Sequence, residues 1–388
     1  MRGRVPALVH LKYDMMMASP FAYFRGAVPV MAADLAALPN TGILCQICGD
    51  AHVRNLGAYA APDGRLLFDI NDFDETICGP FEWDVKRMAT SILLAGQDAG
   101  INDSGSKTAA RAFLMAYCSL IHRLSSMGVL EVARFQVHGI SRTAPVSQVL
   151  LKAERATPLH LREKLTIEEK GKRIFRESPP DLLKVRAKDR QLVLAGLKIY
   201  RKSLSPERQH FFNQLQPLDV AFKVVGVGSV GVRDYCVYLE GYGPDDPVFL
   251  QIKEEPASAY ALYLPKRSSP SLHNGRRVVD GQRALQVQSD PLLGWTSITG
   301  RDYLVRQLKD HKAGLDVSTL DAEGLVQYAD VCGHLLAHGH ARSSDPRPIA
   351  GYVGGNTQFI EAMMEFASLY AEQTGKDWKE MISHQGEA

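Results

Sequence analysis

The sequence predicts an α+β fold of two lobes, one dominated by helices and one built on a small sheet. Three observations point to it. Apolar residues recur at helical spacing through much of the first half. After Pro217 the texture changes to short runs of β-branched and aromatic residues. Helical spacing then returns toward the C-terminus. Three segments follow: a helical lobe over 1–216, a β-rich lobe over 217–310, and helices over 311–388 that return to the first lobe.

The elements follow in order. Ile43–Ile47 reads as a strand, and Arg65–Ile70 as another after the turn Pro62-Asp63-Gly64. Val85, Met88, Ala89, Ile92 and Leu93 keep helical spacing. So do Ala109, Phe113, Tyr117, Leu120 and Leu124, in a helix that Ser104 would cap and Gly128 would end. Residues 150–216 read as mostly helical, broken at Pro179-Pro180. Val220–Val225, Tyr235–Leu239 and Val248–Lys253 read as three strands. Arg276–Gln288 reads as a helix and Tyr303–Leu308 as a further strand. Two more helices carry Leu325, Tyr328, Cys332 and Leu336, and then Ile360, Met364, Ala367 and Ala371.

Composition narrows the function classes. The 388 residues hold 45 Lys+Arg against 43 Asp+Glu, with 45% hydrophobic and 23% charged residues. That excludes a wholly disordered, collagen-like or coiled-coil chain. A net charge of +2 argues against a dedicated nucleic-acid binder. No apolar run approaches the ~18–20 residues of a membrane helix, so no membrane association is expected. The opening Met1–His10 run is basic but too short in apolar residues to match a signal peptide. Six cysteines in this length suit a reducing cytoplasm better than a disulfide scaffold. Residues 151–216 hold 16 basic and 8 acidic side chains. They read as a solvated helical face or as a landing surface for an anionic partner.

Gly226-Val-Gly228-Ser229-Val-Gly231 has the G-x-G-x-x-G spacing. A dinucleotide fold needs a helix after that loop. Here Val232–Leu239 alternates like a strand, and strand–loop–strand is the setting of a kinase glycine loop over nucleotide phosphates. The strand Val248–Lys253 ends in lysine, as the kinase phosphate-binding strand does. Asp280 is the first candidate for its carboxylate partner, ahead of Glu254 and Glu255.

Earlier in the chain, Cys48-Gly-Asp50-Ala-His52-Val-Arg-Asn55 carries D-x-x-x-x-N, the spacing of the kinase catalytic loop. A carboxylate accepts the proton of an attacking hydroxyl, and a neutral amide oxygen binds Mg2+ without adding charge. Asn71-Asp72-Phe73-Asp74 follows with two further acids. Cys45-x-x-Cys48 with His52 also admits zinc, with Cys78 as the available fourth ligand. The second ligand pair of a closed site is missing, and His338 and His340 meet the same objection.

These motifs resemble the H-G-D-x-H-x-x-N, I-D-F and G-D-P-x-x-D-L segments of aminoglycoside phosphotransferases and choline kinases. Cys48 stands where that family has His, and Gly79-Pro-Phe-Glu-Trp-Asp84-Val matches the third segment. The resemblance implies Asp50 as the base, Asn55, Asp72 and Asp74 at the metal, and Asp84 bracing the catalytic loop. Gly226, Gly228, Ser229, Gly231, Lys253, Asp280 and Gln307 would meet ATP, with Val305–Leu308 as an adenine hinge. The order is reversed relative to ordinary kinases, and Leu335-Leu-Ala-His338-Gly-His340-Ala resembles the helix that precedes their catalytic loop. A circularly permuted kinase-like fold accounts for both.

The chain also resembles a bacterial family, domain of unknown function 2252. Ser19–Gly26, Cys48–Asn55, Asn71–Glu75, Gly226–Gly231, Arg277–Arg283, Val305–Leu308 and His340–Arg342 carry that likeness. Asp280 departs from it, standing where Glu is expected. In Ser19–Gly26 the aromatics read as core, and Arg25 as core or phosphate contact. The expected activity is ATP- and Mg2+-dependent phosphoryl transfer to a hydroxyl on a small molecule. Nucleotidyl transfer to protein and a non-catalytic nucleotide-binding module are the alternatives.

Overall fold

Four long helices carry the larger lobe: Phe81–Asp98, Asp103–Ser125, Ala322–Ser343 and Thr357–Gln385. The computed structural model describes residues 8–137, 139–224, 231–265, 273–308, 313–355 and 357–385. Phe81–Asp98 is buried on nearly every side, with Val85, Met88, Ala89, Ile92 and Leu93 in the core as their spacing predicts. It also buries Asp84 and Arg87, three residues apart and so on neighbouring faces. Asp103–Ser125 and Ala322–Ser343 meet at backbone distance. A Cβ on Gly333 would stand 2.3 Å from the Phe113 carbonyl. The cap of Asp103–Ser125 is Asn102, whose side-chain oxygen accepts from Gly105 N at 2.8 Å. Ser104 lies two residues too far in, where the backbone is already helical.

The smaller lobe is a six-stranded antiparallel sheet. Its order is Gly294–Ile298, Arg301–Gln307, Pro247–Glu254, Asp234–Glu240, Gln216–Lys223 and Leu182–Lys184. Val193, Leu197 and Tyr200 of helix Ala187–Ser203 cover one face, against Val237, Leu250, Ile252 and Val305. Leu161 and Phe175 cover the other, against Cys236, Tyr238 and Phe249. The core of this lobe thus begins well before Pro217.

The stretch 150–216 is mostly helix, as expected, but it also holds strands. Thr166–Glu169 pairs with Lys172–Phe175 in a hairpin, and Leu182–Lys184 is an edge strand of the sheet. The hairpin turns at Lys170 and Gly171, both with positive φ (51° and 74°). A two-residue turn of that kind matches the twist of its strands. Dense charge on both strands hides their alternation in the sequence. Strand Gly294–Ile298 was likewise not expected. It closes on Arg301–Gln307 through Thr299-Gly300, again with positive φ at both residues.

Two short ribbons join the lobes' functional loops. Leu44–Ile47 pairs with Ile77–Pro80, and Leu56–Ala60 pairs with Leu66–Ile70. Ala313–Gly314, where the chain returns from the small lobe, adds a third strand beside Leu56–Ala60. The mixed α+β class of the sequence reading is therefore found, with several separate sheets. Among the described residues, no helix is long and apolar enough to cross a membrane.

Candidate active site

Strand Leu44–Ile47 delivers the chain into the loop Cys48–Asn55. Gly49 turns it with φ +77°, and a Cβ there would stand 2.3 Å from the Glu75 carbonyl oxygen. Both facts require glycine. The loop is braced from helix Phe81–Asp98. Cys48 N and Gly49 N donate to the two carboxylate oxygens of Asp84 at 2.7 and 2.9 Å. The expected bracing role of Asp84 is thus seen in its geometry. His340 lies behind it, fully buried, with Nε2 3.3 Å from Asp84 Oδ2 and Nδ1 2.8 Å from the Tyr117 hydroxyl. Asn55 closes the loop by donating from Nδ2 to the Asp50 carbonyl at 2.8 Å.

Asp50 meets Arg87, one helical turn beyond Asp84. Arg87 Nε and Nη2 donate to Asp50 Oδ1 at 2.7 and 2.5 Å. Burial alone would raise the pKa of Asp50, but the guanidinium overrides it and holds the carboxyl below its ordinary value. Arg87 is itself fully buried, bonded to the Phe24 carbonyl and stacked 4.3 Å from the Phe24 ring. Phe21 and Phe24 of Ser19–Gly26 are therefore core, as expected, and Phe24 holds this arginine. Burial keeps His52 neutral, lowering its pKa to about 3. Its Nδ1 accepts from Arg54 N, so Nε2 carries the proton and faces Asp50 Oδ2 at 3.7 Å. Arg25 lies over the Phe21 ring at 5.9 Å, and its Nε is buried without a hydrogen-bond partner. Burial, then Arg54, lowers its pKa to about 10, while Asp50 and Asp72 pull the other way.

The second half of the site spans the lobes. Lys253 is buried near the end of strand Pro247–Glu254 and pairs with Asp74. Burial disfavours its charge, but Asp74 and Asp72 more than offset that and raise its pKa. Burial also opposes the charge on Asp74, yet Lys253 holds its pKa far below the ordinary value. Asp72 moves the other way. Burial, then Asp74, pushes it up to about 6. The two adjacent buried carboxyls shift in opposite directions and titrate as a coupled pair. Arg277 fixes this loop to the small lobe, donating to the carbonyls of Thr76, Asp74 and Pro256 at 2.6, 2.8 and 3.0 Å.

Two buried acids beside it were weakly signalled or missed. Glu255 is 2% exposed, and neither carboxyl oxygen has a hydrogen-bond partner. Burial, then Asp74, drives its pKa well up. Asp234 faces Lys253 across the strand pair and accepts from Gln251 Nε2 at 2.6 Å. Arg87 was missed as well. A lone arginine at core spacing beside Asp84 is the one signal it left.

Two expected contacts are not formed. Asp280 is more than half exposed and pairs with Arg276, so it is not the partner of Lys253. Its position on helix Asn274–Leu285 turns it away, while Arg277 and Gln282 turn inward. The segment Val305–Leu308 is not an open hinge. Its strand lies between two others, Gln307 N donates to Asp290 at 2.5 Å, and Leu308 N donates to the Phe249 carbonyl at 2.8 Å. Gly226, Gly228 and Ser229 lie outside the described residues. Gly231 is described, with φ +89°.

Zinc gains nothing from the geometry. Cys45 and Cys48 are buried thiols, and burial followed by Asp84 drives both pKa values well up, against the thiolate a metal needs. Among the described residues, no group of three or more His, Cys, Asp or Glu is disposed to hold a metal. Asp72 and Asp74 are carboxylates and Asn55 carries a neutral amide, the kinds of oxygen donor that Mg2+ takes beside phosphate and water oxygens.

A family model described as an uncharacterised protein conserved in bacteria (DUF2252) matches residues 4–384. No curated protein and no solved structure matches the chain.

Proposed function

The chain belongs to this bacterial family, domain of unknown function 2252, and we propose that it is an ATP- and Mg2+-dependent phosphotransferase acting on a hydroxyl of a small molecule. One observation carries the reading: Lys253 of the sheet lobe pairs with Asp74, beside Asp72, at the loop that follows Asp50 and Asn55. Residues from two lobes and two distant parts of the chain converge as phosphoryl transfer requires. Their reversed order along the chain supports the permuted kinase-like arrangement.

The roles follow from the contacts. Lys253 orients phosphate oxygens, held in place by its ion pair until they arrive. Asp72, Asp74 and the Asn55 amide would hold Mg2+, which would supply charge neutralisation to the transferring group. Asp50 keeps Oδ2 clear of Arg87 and presents it to the acceptor hydroxyl. With its basicity reduced, it orients the nucleophile and takes the proton late, as the P–O bond forms. Arg25 offers an unsatisfied buried N–H near this oxygen for an anionic group.

The test is turnover against binding. Asp50→Asn retains binding of an ATP analogue and loses Mg2+-dependent ATP consumption. Asp72→Ala loses the thermal stabilisation that nucleotide and Mg2+ confer. Absence of ATP consumption with every divalent metal tried, in wild-type protein that binds nucleotide, refutes the enzyme and leaves a nucleotide-binding module.

A further inference from the structure

Helix Ala322–Ser343 buries two histidines two residues apart, and they differ in one respect. His340 has partners on both ring nitrogens, Tyr117 and Asp84. His338 is 1% exposed and has a partner on one side only. The Phe135 carbonyl accepts from its ring, while Nε2 is buried with no hydrogen-bond partner. A buried polar atom left unmade costs about 1–3 kcal/mol, so the orphan asks for an explanation.

His338 lines a cavity of about 210 Å³ between its helix and strand Leu66–Ile70. Phe68, Ile140, Leu150 and Leu335 supply apolar walls. The other buried polar group in the wall is Asp69, 5% exposed, which accepts from Ile70 N at 2.8 Å. Asp69 is not among the residues of the candidate active site. An apolar cleft with two convergent polar groups is the usual form of a small-molecule site. For scale, an engineered apolar cavity of ~150 Å³ holds benzene.

We propose that this cavity binds a small, largely apolar molecule carrying a hydroxyl or amino donor, which hydrogen-bonds His338 Nε2. The orphaned His338 Nε2 is an acceptor. The imidazole is neutral because burial, then Arg342, lowers its pKa to about 4, and its free lone pair points to a donor on the ligand. A ring with a one-carbon arm ending in O–H or N–H fills the space and meets the lone pair. The site is independent of the proposed phosphotransferase chemistry.

Three probes on the full chain separate the outcomes: benzyl alcohol, benzylamine and toluene, by isothermal titration calorimetry. One net hydrogen bond gives benzyl alcohol or benzylamine roughly a fivefold to tenfold tighter Kd than toluene. His338→Phe removes that preference. Leu150→Trp, at a half-buried wall position, blocks all three probes while far-UV circular dichroism stays unchanged. Asp72→Ala leaves probe binding unchanged, which separates this cavity from the candidate active site. Equal affinity for toluene, or a donor preference that survives His338→Phe, overturns the proposal. So does no binding of any probe to wild-type protein at its solubility limit, which would mean that water satisfies His338. Should His338→Phe fail to fold, the toluene comparison and Leu150→Trp still decide.

Discussion

Replacing Arg87 with Met isolates the ion pair at the candidate active site. Arg87 is fully buried, and Asp50 receives both its Nε and Nη2. Met preserves much of the length and removes the charge. Asp50 then keeps its desolvation cost without compensation. Breaking a buried pair on one side costs about 3–5 kcal/mol, a large part of the ~5–15 kcal/mol by which domains are stable. The pH dependence carries the sharper signature. In the wild type the Asp50 pKa is lowered, so its contribution is present above its ordinary value of 3.8 and is lost as pH falls through the lower folded value. Without Arg87, burial dominates and the folded pKa lies above 3.8. The sign reverses, and the variant loses stability as pH rises from acid toward neutrality. Urea unfolding at pH 4.5 and pH 7 reads both. Arg87→Met/Asp50→Asn removes both charges and regains at least about 1.5 kcal/mol over the single variant at pH 7. A single-variant cost under about 1 kcal/mol at pH 7, or a double variant no more stable than the single, refutes the assignment.

Four further predictions use the same structure. Asp69, raised to about 7 by burial, holds its proton more tightly folded than unfolded, so its ionisation removes stability as pH rises from about 4 to about 7. Asp69→Asn therefore stabilises at pH 8, by at most about 4 kcal/mol, and changes little at pH 4 in urea titrations. Asp84→Ala leaves the Cys48 and Gly49 N–H groups and His340 without their acceptor; it costs about 3 kcal/mol in chemical denaturation and abolishes any ATP turnover. Gly49→Ala places a Cβ against the Glu75 carbonyl at positive φ and costs more than about 2 kcal/mol, whereas Asp280→Ala, exposed and paired only with Arg276, stays within about 0.5 kcal/mol.

What was legible in the sequence is what lies contiguous in it. Cys48–Asn55, Asn71–Glu75 and Gly79–Asp84 each hold their candidate residues within a few positions, so spacing marks Asp50 and Asn55, and the family resemblance of the next two segments marks Asp72 and Asp84. The long helices and the inner strands were legible for the same reason, since their period is written locally. The hairpin Thr166–Phe175 was not. Its outward charges resemble a solvated helix, and its Lys170-Gly171 turn looks ordinary until φ is known.

By itself the sequence determined the α+β class, the family and the short loops that bear the acids. Only the tertiary structure decided the pairings. Lys253 meets Asp74, not Asp280, because the inward face of helix Asn274–Leu285 is occupied by Arg277 and Gln282. Asp50 meets Arg87 because helix Phe81–Asp98 is buried beneath the loop. Partners so far apart in the chain leave no local pattern. Burial in a shared interior sets which charges face each other and which proton each one keeps.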